Sequence, residues 1–193
     1  MNFKILKQLR KDNGYKLTDL SQKTGYTASF LSQIERGLKQ PSLEALRKIS
    51  ESYDIPMATL FLEDEIAISN PEENLVNDNL FTVIHKKNRK KYDLNGLSSF
   101  ELLTPPILNS QFKPDITGVY TEINPGCWSS EKKVSHNYDE SIYVIKGEMQ
   151  SHVGNEVYTL EEGDSLYIRR NSFHNLFNSG SNILICIAYF SIN

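Results

Sequence analysis

Residues 17–49 read LTDLSQKTGYTASFLSQIERGLKQPSLEALRKI and carry apolar residues at helical spacing, interrupted at two points. Gly25 stands where a helix would end, and Thr27 is a candidate N-cap for the helix that follows. Pro41 and Ser42 are typical of the start of another helix. The stretch therefore predicts three short helices joined by tight turns.

Within the middle helix, apolar and polar residues separate onto two faces. Leu31 and Ile34 face inward, toward the other helices. The polar residues that face outward are Ser29, Ser32, Gln33 and Arg36. The flanks repeat the helical pattern, with one helix before Gly14 and a short one over 55–62. Five short helices in about sixty residues predict a compact all-α bundle.

The segment from about Phe3 to Leu62 resembles the helix-turn-helix of phage-repressor-like transcriptional regulators, the XRE family. The turn glycine, the SQIERG ending and the PSLEALRKI that follows carry the resemblance. It implies a DNA-binding domain over residues 1–62, with residues 17–24 as the first helix of the motif and 28–36 as the recognition helix. A recognition helix of this type lies in the major groove of duplex DNA.

By position in that motif, eight residues are candidates for contact with DNA. Those expected near base edges are Thr27, Ala28, Ser29, Ser32 and Gln33. Those expected at phosphates are Arg36, Lys39 and Gln40. Lys16 and Leu17 depart from the family, in which a capping Ser or Thr and a Gln are common. This departure weakens the case for a phosphate contact at that helix start.

Charge is distributed unevenly along the chain. Through Leu62 there are ten Lys/Arg and six Asp/Glu, a balance of +4, whereas the remainder carries eleven Lys/Arg and eighteen Asp/Glu, a balance of −7. A basic N-terminal segment followed by an acidic remainder is consistent with an N-terminal segment that binds a polyanion. The alternative is that the bundle is an inherited interaction module that no longer touches DNA. The polar outward face of the recognition helix favours DNA binding.

The composition and residue pattern of the remainder of the chain predict a linker followed by a β domain. Residues 63–79, EDEIAISNPEENLVNDN, are rich in acidic residues and Asn and hold no period, which predicts a short linker. From residue 80, β-branched and aromatic runs such as FTVIH, GVYTEI, SIYVI and ILICIAYF alternate with turn sequences such as NPG, KG and EEGD. We expect an all-β domain of many antiparallel strands over 80–193.

Two spaced motifs in this region resemble those of the cupin family, whose fold is a double-stranded β-helix barrel. The first motif is matched by Gly126, His136, Glu140 and Gly147. The second is matched by Gly163, His174 and Asn178. Val134 stands where the first motif has another His, and Arg169 and Asn171 replace the Pro and Gly of the second.

The resemblance implies a site formed by His136, Glu140 and His174. On one straight strand, His136 and Glu140 would lie about 13 Å apart, too far for two ligands of one ion. If residues 137–139 form a hairpin turn, the two side chains fall on adjacent strands and converge. Because Val134 removes a fourth ligand, two His and one carboxylate remain, the set that leaves open positions on non-haem iron.

Three interpretations of this set stay open. The residues bind a divalent metal, iron or zinc; or they line a barrel that holds a small organic effector; or they are an inherited set satisfied by each other. A buried Glu between two His is costly unless it is paired, so each interpretation requires a contact. Effector binding without an obligatory metal ranks first. The further candidates for effector contact are Tyr120, Glu122, Trp128 and Arg169.

The combined expectation is a sequence-specific DNA-binding regulator whose barrel binds a small-molecule effector and modulates its affinity for an operator. A homodimer is expected, because one short recognition helix reads few base pairs and paired heads read paired half-sites. The alternative is an iron-dependent oxygenase of the hydroxypropylphosphonic acid epoxidase type, which joins the same head to the same barrel. Its candidates for holding an anionic phosphonate are Lys132, Lys133 and Arg169.

No membrane partner is expected, and a cytoplasmic location follows by default. The longest apolar run, ILICIAYF at 183–190, is too short to span a bilayer, and the N-terminus lacks the apolar core of a signal peptide. Cys127 and Cys186 have no metal-ligand spacing, and a reducing compartment would keep them as thiols.

Overall fold

A computed structural model of the chain describes residues 4–61, 83–105 and 114–191. Two compact units are present: a helical unit, which contains residues 4–61, and a strand unit, which contains residues 86–104 and 115–191. The linker expected at 63–79 lies outside the described residues. Within the described ranges, no helix is both long and apolar enough to cross a membrane.

The helical unit contains α1 (Lys4–Asp12), α2 (Leu17–Thr24), α3 (Ala28–Glu35) and α4 (Leu43–Glu51). The side chains of Thr27 and Ser42 each accept a backbone hydrogen bond at 3.2 Å, and so cap the first turns of α3 and α4. The expected N-cap at Thr27 is confirmed. At the start of α2, the Lys16 backbone N–H donates instead to the Asp19 carboxylate at 2.7 Å.

The prediction of a fifth α-helix over 55–62 is wrong. Met57–Phe61 forms a 3-10 helix instead, so the described helical unit has four α-helices. The Pro56 carbonyl accepts hydrogen bonds from the Thr59 backbone N–H at 3.0 Å and from the Thr59 hydroxyl at 2.7 Å. This spacing of three residues closes a 3-10 turn, and helical periodicity in so short a segment does not distinguish it from an α-turn.

One buried ion pair joins α1 to α3 within a small apolar core. Arg10 Nε and Nη2 donate to the two carboxylate oxygens of Glu35 at 2.7 and 3.0 Å, and Arg10 Nη1 donates to the Tyr15 carbonyl at 3.0 Å. Two parallel hydrogen bonds fix the orientation of both groups. The pair therefore holds the last turn of α3 against α1. The most deeply buried core residues around it are Leu6, Leu20, Leu31, Ile34, Ile49 and Leu60.

The strand unit is built from nine antiparallel strands in its described part. They are β1 (Lys91–Leu94), β2 (Ser98–Leu102), β3 (Ile116–Ile123), β4 (Glu140–Lys146), β5 (Met149–Val153), β6 (Glu156–Leu160), β7 (Ser165–Ile168), β8 (His174–Asn178) and β9 (Leu184–Ser191). One sheet has the order β1-β2-β3-β9-β4-β7, and the other has the order β6-β5-β8. Residues directly opposite each other in neighbouring strands share a face, so the strand register determines which side chains point between the sheets.

Most of the strand runs read from the sequence form strands, with GVYTEI in β3, SIYVI in β4 and all of ILICIAYF except Ile183 in β9. The run FTVIH is an exception over its described part, because residues 83–85 belong to no strand. A β-branched composition shows that a segment fits a sheet, and a strand also needs a neighbour to pair with. The first described strand of the unit begins only at Lys91.

Gly147, the last residue of the first cupin-like motif, lies where β9 passes close to the turn after β4. Its φ is +98°, and a Cβ at this position would lie 3.2 Å from Leu184 Cα. A side chain there would therefore meet backbone in a conformation that L-residues rarely adopt. The glycine permits the close approach of β9 to this turn.

Breaking the buried ion pair should destabilise the helical unit. Glu35→Gln leaves the largely enclosed Arg10 guanidinium, 14% exposed, without its counter-charge, so we expect a loss of about 3 kcal/mol of unfolding free energy. Urea unfolding followed by helical circular dichroism measures this, because the described α-helices all belong to the helical unit. The matched control is Glu44→Gln, whose pair with Lys48 is exposed at 3.9 Å and should cost less than about 1 kcal/mol. Equal midpoints for the two variants would contradict the role given to the pair.

Candidate functional site

Three side chains predicted to form a site come together between the two sheets. His136, Glu140 and His174 each offer one ligand atom, and these atoms all lie within 4.8 Å of one another. Glu140 begins β4 of the six-stranded sheet, and His174 begins β8 of the three-stranded sheet. His136 lies on the connection that leads into β4. We call these three residues the His–Glu–His cluster.

The route by which His136 and Glu140 converge is not the expected hairpin. Val134 pairs with His174 of β8 through two backbone hydrogen bonds of 2.8 Å. Glu140 pairs instead with residues of β7 and β9. Residues 135–139 therefore carry the chain from the three-stranded sheet to the six-stranded sheet. The two side chains meet because both sheets face the same interior.

The Glu140 carboxylate lies between the two imidazole rings. Its Oε2 is 3.3 Å from His136 Nε2 and 3.1 Å from His174 Nε2. Glu140 is 5% exposed and His174 is 3% exposed. Glutamate is almost never buried to this degree unless it is paired, so the two histidines account for its position.

Backbone carbonyls determine which nitrogen of each histidine faces the carboxylate. His136 Nδ1 lies 2.7 Å from the Tyr138 carbonyl oxygen, and His174 Nδ1 lies 2.9 Å from the Ser172 carbonyl oxygen. A carbonyl oxygen only accepts, so each Nδ1 carries the hydrogen and donates it. Each Nε2 then directs either a lone pair or a second proton at Glu140. Two lone pairs repel at about 3 Å, so a hydrogen or a cation between an Nε2 and the carboxylate would stabilise these contacts.

The pKa shifts follow from the same contacts. Burial alone would raise the pKa of Glu140, but hydrogen bonds from His136 and His174 and their positive charge outweigh it and lower the pKa. Burial likewise opposes protonation of His174, but the hydrogen bond to Glu140 and its negative charge outweigh burial and raise the pKa of His174. The carboxylate is therefore ionised, and positive charge is favoured beside it.

Aromatic rings enclose one side of the cluster. The Tyr138 ring stacks on the His136 ring with centroids 3.9 Å apart and planes 7° apart. The Phe190 ring lies nearly perpendicular to both, with its centroid 6.1 Å from that of His136 and 5.6 Å from that of Tyr138. Phe190 lies directly opposite Glu140 in the register of β9 and β4. No short-range signal in the sequence could have found Phe190, because fifty residues separate it from Glu140 along the chain.

Two buried hydroxyl groups near the cluster also escaped the sequence analysis. Thr117 lies opposite Phe190, on the same face as Glu140, and Ser151 lies opposite Leu176, on the same face as His174. Thr117 is 1% exposed and Ser151 is 0% exposed. Within the described part of the chain, neither hydroxyl oxygen has a hydrogen-bond partner. Buried polar groups normally have a hydrogen-bond partner. These two hydroxyl groups can therefore form a hydrogen bond with a polar group of a bound molecule or with a water.

Tyr120 and Glu122, two of the candidates for effector contact, do not face the cluster. They alternate along β3 with Thr117 and Val119, which face inward, so they point to the opposite side of the sheet. There Glu122 forms an ion pair with Lys91 and accepts a hydrogen bond from the Tyr120 hydroxyl at 3.3 Å. The strand register therefore places both side chains on the face of the sheet opposite the His–Glu–His cluster.

Trp128 and Arg169 are likewise placed away from the cluster. Trp128 bridges to Phe177, which alternates with the inward-facing His174 and Leu176 of β8, and its ring packs 4.8 Å from those of Phe177 and His152. Arg169 follows β7 and is exposed. Of the seven predicted effector contacts, the structure therefore brings together only the three residues of the His–Glu–His cluster.

The turn over 169–172 supports the cluster through its backbone. The Asn171 N–H donates to the His136 carbonyl at 2.7 Å, and the Arg170 N–H donates to the Asp139 carboxylate at 2.8 Å. Asn171 stands where the family motif has Gly, and its φ is +63°. Asn is the residue type other than Gly that most readily adopts this conformation, so the substitution keeps the turn.

In the helical unit, the outward face of α3 is accessible to solvent. Its inward residues, Leu31, Ile34 and Glu35, are buried. Among the eight residues predicted to contact DNA, Ala28 and Ser32 are half-buried, and the remaining six are exposed: Thr27, Ser29, Gln33, Arg36, Lys39 and Gln40. The packing of α3 thus leaves this face free to enter a groove.

Comparison with known proteins covers both units. Residues 6–60 match a family model described as helix-turn-helix, and residues 119–190 match one described as cupin domain. The chain is 38% identical over 93 residues to the HTH-type transcriptional regulator SinR of Bacillus licheniformis. This match covers 45% of this chain and 84% of SinR. The chain is 23% identical over 180 residues to the HTH-type transcriptional regulator PuuR of Escherichia coli (strain K12). That match covers 93% of this chain and 89% of PuuR.

One solved structure shares the fold over nearly the whole chain. It is the crystal structure of an HTH_3 family transcriptional regulator from Vibrio cholerae, with a TM-score of 0.65 and 19% sequence identity. The match covers 97% of this chain and 93% of that one. At this level of identity the likeness concerns the fold: a helix-turn-helix unit followed by a cupin unit.

Proposed function

The chain belongs to the XRE-type helix-turn-helix transcriptional regulators that carry a C-terminal cupin domain, and from this premise we propose that it binds an operator through α3 and senses a small polar molecule in the strand unit. One observation carries the proposal. The same chain joins an exposed polar face on α3 to a buried centre whose polar groups converge between two sheets. The first suits a DNA groove, and the second suits a ligand of a few atoms.

The chemistry of each side chain indicates whether it would contact a base or a phosphate of the DNA. Gln33 carries an amide that can donate to and accept from adenine at once, whereas Ser29 and Ser32 can bond to several bases. Arg36 and Lys39 carry positive charge, and Gln40 can donate, so these three suit phosphate oxygens. The regulator acts as a homodimer in this proposal, because paired recognition helices read half-sites about 34 Å apart.

For the effector, the buried hydroxyl groups of Thr117 and Ser151 supply the argument. Together with the His–Glu–His cluster they offer hydrogen-bond donors and acceptors in an interior whose most buried residues include the apolar Ile142, Met149 and Ile168. A small polar molecule with several oxygen or nitrogen atoms suits this interior. It would modulate operator affinity only if it binds two states of the regulator with different affinity.

A divalent iron or zinc ion fits the His–Glu–His cluster. His136 Nε2, His174 Nε2 and Glu140 Oε2 would hold it, with both Nδ1 atoms already bonded to carbonyls, as is usual for histidine ligands. Ligand atoms around a small tetrahedral ion lie about 3.4 Å apart; here the two nitrogen–oxygen separations are 3.1 and 3.3 Å, and all three ligand atoms lie within 4.8 Å of one another. Such an ion supplies a Lewis acid with open positions for an effector oxygen. We propose the effector as the constant partner and the ion as its optional anchor.

The oxygenase alternative is not favoured. The curated relatives described above are named as transcriptional regulators. In addition, the cations considered for an anionic phosphonate, Lys132, Lys133 and Arg169, are exposed rather than directed into the cluster.

Gln33→Ala should weaken specific operator binding. Losing a bidentate base contact costs about 1–3 kcal/mol, which is roughly a fivefold to 150-fold loss of affinity, and relaxes specificity at one position. Fluorescence anisotropy with the DNA upstream of the protein's own gene measures the loss. The control is Gln22→Ala, an exposed change on α2 outside the predicted contacts. Unchanged affinity for the first variant would remove Gln33 from the base-reading set.

Divalent metal binding should depend on Glu140. Glu140→Gln keeps the shape of the side chain but removes the charge, so we expect the affinity for Zn²⁺ in a chelator-competition titration to fall at least about tenfold. His152→Ala is the matched control, because His152 packs on the outer side of the three-stranded sheet against Trp128. If the wild-type protein binds no Zn²⁺ or Fe²⁺, the ion is excluded as an anchor.

Thr117→Val should distinguish a ligand site from a closed core. The substitution replaces an unsatisfied buried hydroxyl with a methyl group of similar size, so the protein without effector should become more stable by about 1 kcal/mol. The same variant should lose the thermal stabilisation that a bound effector gives the wild type in a screen of small polar metabolites. Ser141→Ala, an exposed change on β4, should alter neither quantity. A large destabilisation by Thr117→Val would show that the hydroxyl serves the fold.

A further inference from the structure

An aromatic pair with a lysine at each end lies at the start of α3. The rings of Tyr26 and Phe30 lie 4.9 Å apart between centroids and are tilted by 37°. The Lys39 ammonium lies over the Phe30 ring at 4.8 Å, and the Lys48 ammonium lies over the Tyr26 ring at 5.4 Å. The four residues form one continuous surface row, which we call the lysine–aromatic row.

The row brings together three separate parts of the helical unit. Tyr26 directly precedes the N-cap of α3, Phe30 lies in its first turn, Lys39 lies in the loop before α4, and Lys48 lies near the end of α4. The N-terminal end of a recognition helix is the end whose side chains meet the bases. The row therefore places two positive charges beside the part of α3 that approaches DNA.

Holding a lysine on a ring changes what it can contribute to binding. A free lysine side chain loses considerable rotamer entropy when it is fixed against a phosphate. A ring face attracts the ammonium without using all its hydrogen-bond donors, so the group remains able to bond to an anion. Both lysines are exposed, and both rings are half-buried, which fits rings that serve as a platform and ammonium groups that stay accessible.

We propose that Tyr26 and Phe30 are positioning residues that hold Lys48 and Lys39 as a pair of phosphate clamps on either side of the first turn of α3. The inference rests on the proposed binding of DNA and deepens it. It adds Lys48 to the predicted contacts, and it assigns the rings a role in affinity that does not depend on base sequence. The carboxylate of Glu44, 3.9 Å from the Lys48 ammonium, competes weakly from an exposed position.

Phosphate clamping is tested with the full-length protein and a labelled duplex of random sequence. Phosphate contacts are independent of sequence, so neither operator nor effector is needed. The slope of log affinity against log salt should fall by about 0.9 for each of Lys39→Gln and Lys48→Gln. Lys23→Gln is the matched control: Lys23 also lies over a ring, that of Tyr15 at 4.9 Å, but outside the row. Its slope should equal that of the wild type.

The positioning role is tested with Phe30→Leu and Tyr26→Leu. These variants keep both charges, so the salt slope should stay at the wild-type value while affinity at fixed salt falls about two- to fivefold. Helical circular dichroism verifies that each variant is folded. Slopes for Lys39→Gln and Lys48→Gln equal to that of Lys23→Gln would overturn the clamps, and unchanged affinity in the leucine variants would overturn the platform. A wild-type protein without salt-dependent DNA binding would instead overturn the proposed function itself.

Discussion

A carboxylate withdrawn from water between two sheets constrains the whole strand unit. Glu140 is tolerated there because an imidazole Nε2 approaches it from each side, and each imidazole is held by a backbone carbonyl on its other nitrogen. The bridge between Val134 and His174 and the turn over 169–172 fix those carbonyls and rings in turn. These contacts together hold the buried carboxylate and its two imidazole partners in place.

Each unit of the protein contains a buried ion pair, and the two pairs differ in kind. Arg10 and Glu35 are joined by two parallel hydrogen bonds, and the guanidinium stays charged at every physiological pH. That pair can only hold α3 in place. The His–Glu–His cluster is made of groups whose charge depends on protons, on a metal ion or on a ligand. An ion pair whose charge is constant suits the unit proposed to bind DNA. A cluster whose charge can change suits the unit proposed to sense a ligand.

Much of the fold was predictable, for reasons that are local. Helix caps such as Thr27 act within one turn, and the strand runs of β3, β4 and β9 need only the preference of their residues for a pleated sheet. The errors are local ambiguities. In Met57–Phe61 a 3-10 helix replaces the expected α-helix, because Pro56 and Thr59 close a tighter turn. In residues 83–85 the composition of a strand is present, but they belong to no strand.

The order of the two units and the outward polar face of α3 can be read from residue patterns along the chain, and the resemblance to the cupin motifs identifies the three residues of the His–Glu–His cluster. The other side chains on the inward face follow from the folded arrangement of the strands. Side chains alternate along a strand, and the pairing of distant strands decides which half faces inward. That pairing placed Thr117, Ser151 and Phe190 on the inward faces that carry the cluster, and it put Tyr120, Glu122 and Trp128 on outer faces. Arg169, which follows β7, is exposed.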